Sequence, residues 1–335
     1  MTHITIKDIA TRLGISVSTV SRALNDHPDI NEETKKSVYD VANKLHYSPN
    51  IFAKSLKTKR NHQIGVIVPD IRYAFFSSAI SGIEEVAYNS GYTISVAQSN
   101  EEMQREIMNT NAFISNRVSG LIISISQTTT CPDHFNNLRE KDIPFVFFDR
   151  ALGAINAHKV TIDDFQSAYN AVNYLIKKGY KNIAHFAGPL KLEVYQKRKQ
   201  GYLQALVDNG LEVKEDLIIE GPLHEEFGYE GVSSFNEKGI MPDAIFSVSD
   251  NVAIGAFQKI KEIGKKIPED IALVGFSNNP VTSLIDPPLT TVEQYANKMG
   301  KIAAQMLLDI IEGRIDSNLP ESHILETQII ERRSA

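Results

Sequence analysis

Within the first 45 residues, apolar side chains recur in three short segments with the 3.6-residue period of an α-helix. Gly14 suits the end of the first helix, because glycine accepts a left-handed backbone, and Ser16 is a favoured N-cap for the second. A link of only about three residues makes two helices cross steeply. The pattern therefore predicts a helix-turn-helix domain over residues 1–48, with a third helix that starts at Asn31.

Small polar side chains cover the outward face of the second predicted helix. Hydroxyls and one arginine suit a surface of phosphates and base edges, and Arg22 can bond a guanine through both arms of its guanidinium. A recognition helix reads the major groove with residues near its N-terminal end. The candidate DNA contacts here are Thr5, Ser16, Val17, Ser18, Thr19, Ser21, Arg22 and Asn25. A solvated three-helix bundle is the alternative interpretation.

Residues 49–61 are predicted to be a hinge helix and linker. Pro49 suits the first helical position, but a helix of only about nine residues is marginal in water. We expect it to form when a second copy of the chain or DNA stabilises it, which allows Leu56 to wedge into a minor-groove step. The candidate contacts are Asn50, Ala53, Lys54, Leu56 and Lys57. The alternative is a basic linker.

Charge is unevenly distributed along the chain. Residues 1–62 hold ten Lys/Arg and six Asp/Glu, a net charge of +4, and since the whole chain has −6, the remainder has −10. A basic segment attached to an acidic body suggests a polyanionic partner for the basic segment. The N-terminus lacks a signal-peptide pattern and no apolar run is long enough to span a membrane, so we expect a cytoplasmic protein without a membrane partner.

After residue 62, short apolar runs alternate with amphipathic helical segments. Runs that are apolar almost throughout indicate strands buried on both faces, and repeated strand–helix alternation indicates doubly wound parallel sheets. The predicted strands are 64–70, 93–99, 120–126, 144–150, 182–188, 216–221, 244–250 and 271–277. The predicted helices are 77–90, 101–116, 165–178, 198–209 and 250–263. The fold class is an all-α helix-turn-helix head plus an α/β body of two parallel-sheet subdomains.

Polar side chains follow the carboxyl ends of several predicted strands, where ligands bind in such folds. They form a set with few charges, which suits a ligand with hydroxyl groups, and Phe75 and Phe76 can stack on an apolar ligand face. The candidates from these ends are Asp70, Arg72, Phe75, Phe76, Ser126, Asp149, Arg150, Ser249, Asp250 and Ser277. Singly, Asp70 and Asp250 are equally well read as caps, and the two phenylalanines as core residues.

Three stretches resemble the LacI/GalR family of bacterial transcriptional repressors: "IKDIATRLGISVSTVSRALN", "VYDVANKLHYSPNIFAKSL" and "IGVIVPDI". The resemblance implies DNA reading by Val17, Ser18 and Arg22, and a hinge helix that inserts Leu56 from each subunit of a dimer. The body also resembles periplasmic sugar-binding proteins. In "PFVFFDR" the resemblance makes Asp149 a ligand contact, and in "AGPLKLEVYQKRKQGYLQAL" it assigns effector binding to Arg198.

Two positions depart from the family pattern. Ser249 stands where many members have Asn, and Ser277 stands where many have the sugar-binding Asp. Loss of that carboxylate removes a strong acceptor for sugar hydroxyls. The effector is then anionic, more weakly bound, or held mainly by Arg150 and Arg198.

The family pattern continues through 286–313, read as a crossover followed by a long helix, and 324–334 is expected to be one closing strand. The body, 62–335, is then the effector-binding and dimerisation domain. Its first subdomain is expected at 62–160 plus 291–320, and its second at 161–290 plus 321–335. Crossings near 161–164, 287–293 and 317–323 would make a hinge that closes on a ligand.

The function predicted from the sequence is a DNA-binding transcriptional regulator, a repressor of palindromic operators, which acts as a homodimer. A small-molecule effector, a sugar or sugar derivative, controls it from between the subdomains. The alternative is a sugar-binding sensor without a role at DNA. An enzyme is not expected, because the common nucleotide-binding, hydrolase and zinc motifs are absent from the sequence, and neither a cofactor nor a metal is predicted.

Overall fold

The computed structural model describes residues 4–45, 47 and 61–335, which fall into two units that divide after Asn61. We call residues 4–47 the head and residues 62–335 the body. The predicted hinge helix, with its five candidate DNA contacts Asn50, Ala53, Lys54, Leu56 and Lys57, lies outside the described residues.

The head consists of three helices, α1 (Ile6–Leu13), α2 (Val17–Leu24) and α3 (Glu32–Lys44). The end of α1 and the starts of α2 and α3 are those that the sequence predicted. Gly14 has φ 67° after α1, the hydroxyl of Ser16 accepts from the backbone N of Thr19 at 3.0 Å, and the side chain of Asn31 accepts from the N of Thr34 at 2.8 Å. The fully buried side chains that join the helices are Ile9, Val20, Ala23 and Val38.

The body alternates strands and helices. Its strands are β1 (Asn61–Val68), β2 (Thr93–Gln98), β3 (Val118–Ile123), β4 (Phe145–Phe148), β5 (His158–Ile162), β6 (Ile183–Ala187), β7 (Ile218–Glu220), β8 (Ala244–Ser247), β9 (Ala272–Phe276), β10 (Thr290–Glu293), β11 (Ser322–Leu325) and β12 (Gln328–Ile330). Its helices are α4 (Ala74–Asn89), α5 (Met103–Ser115), α6 (Asp133–Glu140), α7 (Asp164–Lys177), α8 (Glu193–Asp208), α9 (Glu225–Lys238), α10 (Asp250–Glu262) and α11 (Ala296–Ile311).

The strands form two six-stranded sheets, one per subdomain. The first has the order β11-β5-β4-β3-β1-β2, and the second has the order β12-β10-β9-β8-β6-β7. The described pairings are parallel, except that β12 runs antiparallel to β10. Every residue of β4, β6, β8 and β9 is buried, as expected for strands covered by helices on both faces. The predicted fold class is confirmed.

The long helix α11 returns the chain to the first subdomain and packs closely on α4. A Cβ at Gly82 would lie 2.1 Å from the carbonyl oxygen of Asn297, and one at Gly300 would lie 2.0 Å from that of Ala79. Glycine at both positions therefore lets the two helix backbones touch, and this contact holds α11 against α4.

The predicted closing strand at 324–334 was wrong, because that segment contributes to two sheets. β11 joins the first sheet beside β5, and β12 joins the second beside β10. No strand was predicted at β5 or β10, and no helix was predicted at α6 or α9. The residues of β11 before Leu325 are exposed, so this edge strand lacks the apolar run by which buried strands are recognised.

Two predicted crossings between the subdomains need correction. The first lies at Asp163 as expected, but β10 still belongs to the second sheet, so the return crossing lies at 294–295. The third crossing lies at 326–327, between β11 and β12. The first subdomain thus extends to Ile162 and from 296 to 325. The expected boundaries followed apolar runs, whereas strand pairing decides membership of a sheet.

Candidate functional site

The outward face of α2 exposes the residues predicted to read DNA. Val17 is 41% exposed although it is apolar, and Ser18 and Asn25 are exposed as well. The side chain of Arg22 is 58% exposed, and its nearest carboxylate is that of Asp29 at 4.0 Å. An ion pair that long and that exposed stabilises the head little, so the guanidinium can exchange it for another acceptor.

The hydroxyls around the start of α2 bond with one another. The Ser16 Oγ lies 2.7 Å from the Ser18 Oγ and 2.8 Å from the Thr19 Oγ1, while Thr19 and Ser21 are half-buried. The Thr5 hydroxyl donates to the Asp8 carboxylate at 2.7 Å. Thr5 and Ser16 thus hold the starts of α1 and α2 in place, in addition to their predicted role as DNA contacts.

In the body, the carboxyl ends of the strands of both subdomains surround a cavity of about 60 Å³. Eight predicted effector residues line it: Phe75, Phe76, Asp149, Arg150, Arg198, Ser249, Asp250 and Ser277. The sequence did not single out the other lining residues, which are Tyr73, Ala74, Tyr195, Leu223, Val248, Asn251, Asn279 and Gln294.

Three predicted effector residues lie outside this lining. Asp70 and Arg72 pair with each other, with Arg72 Nη2 donating to Asp70 Oδ2 at 2.6 Å, so the short loop after β1 closes on itself. Ser126 is fully buried and donates through its Oγ to Glu106 at 2.9 Å. Position at a strand end is therefore not sufficient, because a nearby buried carboxylate captures the side chain.

The side chain of Arg150 contacts residues of both subdomains in the wall of the cavity. Its Nη1 donates to both carboxylate oxygens of Glu101 at 2.9 Å, and its Nη2 donates to the Tyr195 hydroxyl at 3.1 Å. The guanidinium lies 5.7 Å from the ring centroids of Phe76 and Tyr195. Asp149 Oδ2 is 3.7 Å from Arg150 Nε. Four side chains from both subdomains thus orient one arginine.

Arg198 lies on α8 and is also buried and paired. Its Nε donates to Asp164 Oδ1 at 2.8 Å, and its Nη1 donates to the Val248 carbonyl at 2.9 Å. The guanidinium stacks 3.8 Å from the centroid of the Phe276 ring. These contacts hold a planar group of donors rigidly against the cavity.

Burial shifts the pKa of two carboxyl groups of the lining upward. Burial raises the pKa of Asp149 to about 6, although Arg150 and Arg198 oppose this shift. Burial also raises the pKa of Asp250 to about 6, against hydrogen bonds from the Thr291 hydroxyl and a backbone N–H. Asp250 therefore joins loops of the second subdomain as well as lining the cavity.

Ser277 takes a strained conformation with φ 115° and donates through its hydroxyl to Gln294 Oε1 at 2.8 Å. Gln294 follows β10, a strand that the sequence did not reveal, so its place in the cavity could not be anticipated. Tyr195 could have been found, because it lies three residues before Arg198 and so shares its face of the helix.

Family models of known proteins match the head and the body separately. A family model described as bacterial regulatory proteins, lacI family, matches residues 5–50. A second, described as periplasmic binding proteins and sugar binding domain of LacI family, matches residues 61–332. The chain belongs to the LacI family of bacterial regulatory proteins.

Relatives within the LacI family match over most of their length. Catabolite control protein A of Priestia megaterium is 32% identical over 306 residues, which is 91% of this chain and 92% of that protein. The HTH-type transcriptional repressor PurR of Proteus mirabilis is 33% identical over 334 residues, which is 98% of this chain and 96% of that protein. The chain is thus a DNA-binding regulator of this family.

Solved LacI-family structures have the same fold. The lac repressor dimer bound to operator and an anti-inducer matches at a TM-score of 0.89, with 24% identity and 99% of each chain covered. The complex of the transcriptional regulator CelR with cellobiose matches at 0.75, with 26% identity, covering 99% of this chain and 100% of that one. Among the described residues, no helix is long and apolar enough to cross a membrane.

Proposed function

We propose that this protein is a transcriptional repressor that binds a palindromic operator as a homodimer. A small neutral carbohydrate or carbohydrate derivative in the body cavity controls its affinity for the operator. A protein that acts in this way on chromosomal DNA works in the cytoplasm. The observation that carries the proposal is the exposed face of α2, where Val17, Ser18 and Arg22 stand together on a helix that the Ser16 cap holds in place.

Two heads are needed because one recognition helix reaches only a few base pairs. A symmetric dimer reads two half-sites and adds the binding energies of both. The effector acts by binding two states of the body with different affinity, which changes how well the two heads fit the operator. The second candidate, a sensor without a role at DNA, leaves the exposed face of α2 without a use.

The charges of the cavity favour a neutral effector. Both arginines of the lining are already paired with carboxylates, Arg150 with Glu101 and Arg198 with Asp164. An anion would have to compete with these buried pairs, whereas sugar hydroxyls can use their remaining donors and acceptors. Two similar structures contain sugars: the CelR–cellobiose complex, and a LacI-family regulator from Enterococcus faecium with bound ribose, 28% identical over 81% of this chain, with a TM-score of 0.72.

DNA recognition is tested with Arg22→Ala in the full-length protein. A duplex bound by the unaltered protein is first selected from random sequences, and affinities are then compared by gel shift at one fixed salt concentration. Loss of one base contact should weaken binding by roughly 10–100-fold, equivalent to about 1–3 kcal/mol. Lys44→Ala removes the same charge from an exposed position on α3 and should have a much smaller effect. A protein that selects no duplex is not a DNA-binding regulator.

The effector class is tested by thermal shift of the full-length protein against cellobiose, ribose, sugar phosphates and nucleobases. A ligand present at about 100 times its Kd stabilises the folded state by about 2.7 kcal/mol, which is a readily measured rise in Tm. We expect a neutral sugar to give this rise. A rise given only by a sugar phosphate or a nucleobase would contradict the proposed class.

A further inference from the structure

One hydrogen bond joins the two subdomains across the cavity. Arg150 follows β4 of the first sheet, and Tyr195 lies in the first turn of α8, which packs in the second subdomain. Arg150 Nη2 donates to the Tyr195 hydroxyl at 3.1 Å, and both side chains are almost fully buried. The contact therefore forms part of the cavity wall and at the same time ties the two halves of the body together.

The space between the walls beside this contact is narrow, about 60 Å³. By the same measure one water molecule needs roughly 10–15 Å³. Because Arg150 and Tyr195 belong to opposite subdomains, any movement of the walls that widens this space separates the two side chains.

The two partners of Arg150 hold it unequally. Glu101 accepts two charge-assisted hydrogen bonds at 2.9 Å, and its carboxylate also accepts the backbone N–H of Gln127 at 2.8 Å. Tyr195 offers one neutral oxygen at a longer distance. Hydrogen bonds between ionised groups are roughly twice as strong as those to neutral partners. When the subdomains separate, the bond to Tyr195 breaks and Arg150 stays with Glu101 in the first subdomain.

We propose that Arg150 and Tyr195 form a latch that holds the cleft closed, and that Glu101 is the positioning residue that keeps Arg150 in place for it. The proposal rests on the proposed function in one respect, that the cleft is where the effector enters. Glu101 does not line the cavity, so its role is exerted through Arg150. Opening of this latch is the step that admits the effector, and its strength sets the fraction of molecules able to bind.

The latch is tested by measuring the distance between the subdomains in the full-length protein. Spin labels are placed at Glu140→Cys on α6 and Glu237→Cys on α9, both exposed positions, in a Cys131→Ser background. Labelled protein is diluted into unlabelled protein so that only distances within one chain are read by double electron–electron resonance. No effector is required for the measurement.

Without further substitution we expect one narrow distance distribution. Tyr195→Phe keeps the ring and removes the hydroxyl, and should add a population longer by more than about 2 Å, the scale of domain rearrangements. Glu101→Gln should shift the distribution in the same direction. The matched control is Tyr229→Phe, which removes a tyrosine hydroxyl on α9 that donates to Glu262 at the end of α10, within the second subdomain, and it should leave the distances unchanged. Circular dichroism confirms that each variant is folded.

An unchanged distribution in Tyr195→Phe, or a broad one before any substitution, would overturn the latch, and an unchanged distribution in Glu101→Gln would remove Glu101 from it. Because the measurement needs neither DNA nor sugar, its failure leaves the gel-shift and thermal-shift results standing. Failure of those assays, with a widened distance in Tyr195→Phe, would instead retain the latch and reject the proposed function.

Discussion

Arginine is used in two different ways in the head and in the body. Arg22 on α2 is 58% exposed, with its nearest carboxylate 4.0 Å away, whereas the side chain of Arg198 on α8 is 5% exposed and bonds Asp164 at 2.8 Å. An exposed guanidinium remains available to a large anionic partner. A buried one is already oriented, and it serves to shape a small site. The comparison teaches that the partners of an arginine, more than its residue type, distinguish the exposed face of α2 from the cavity lining.

The largest expected difference between the two arginines is in stability. Arg198→Ala leaves Asp164 buried without its charged partner, which should lower the free energy of unfolding of the body by about 3–5 kcal/mol. Arg22→Ala should change it by less than about 0.5 kcal/mol, as usual for surface substitutions. Urea unfolding of both full-length variants measures the difference, and equal losses would show that burial does not separate the two arginines.

A second buried charge extends the comparison to the first subdomain. The Glu106 carboxylate accepts from the Ser126 N–H, the Thr129 hydroxyl and His134 Nε2 at 2.7–2.9 Å. Glu106→Gln replaces an acceptor by a donor that faces these groups, so unfolding free energy should fall by about 1–3 kcal/mol. Glu102→Gln, at an exposed position, is the matched control and should stay near the unaltered value when both are measured in urea.

The buried core of the second subdomain contains a histidine, His185, that makes the stability of the body depend on pH. His185 stacks between Tyr202 and Phe246, and burial lowers the pKa of His185 to about 3. The unfolded chain takes up a proton below about pH 6.5 and the folded chain does not, so this contribution to stability falls as the pH falls toward 3. The slope approaches about 1.4 kcal/mol per pH unit.

The variant His185→Phe keeps the stack and removes the titrating group. Unfolding free energies at pH 6.5 and 5.0 should differ less in this variant than in the unaltered protein, by about 1–2 kcal/mol. Identical pH profiles would mean that His185 is protonated in the folded state. The raised pKa values of Asp149 and Asp250 act in the opposite direction, but they are common to both proteins and cancel in the comparison.

The smallest expected effect is at the start of α2. Ser16→Ala removes the cap from the Thr19 N–H and should destabilise the helix by about 1 kcal/mol. Amide hydrogen exchange of α2 in the full-length protein should then accelerate about fivefold. Ser18→Ala, two residues further on, leaves the Ser16 Oγ to accept from the Thr19 N–H and serves as the control. Equal exchange rates in both variants would mean that packing alone, and not the Ser16 cap, stabilises the start of α2.

The head was predictable in detail, because its determinants are local. Gly14, Ser16 and Asn31 each act on a helix end within three residues of themselves, so their chemistry can be read directly from the sequence. The body was predictable as alternating strands and helices wherever a strand is buried on both faces. The exposed edge strand β11 and the split of 324–334 between two sheets were not, because pairing over long sequence separations decides them.

The sequence by itself determined the class of fold, the exposed face of α2 and half of the residues that line the cavity. Only the tertiary structure decided which of these side chains are already bonded to partners within the protein. It joined Arg150 to Glu101 and Tyr195, which lie 49 and 45 residues away, and it withdrew Ser126 into the buried network of Glu106. A helix cap depends on residues that are neighbours in the sequence, so it can be predicted from the sequence. The partner of a buried charge lies far away in the sequence, so it is known only once folding has brought the two segments together.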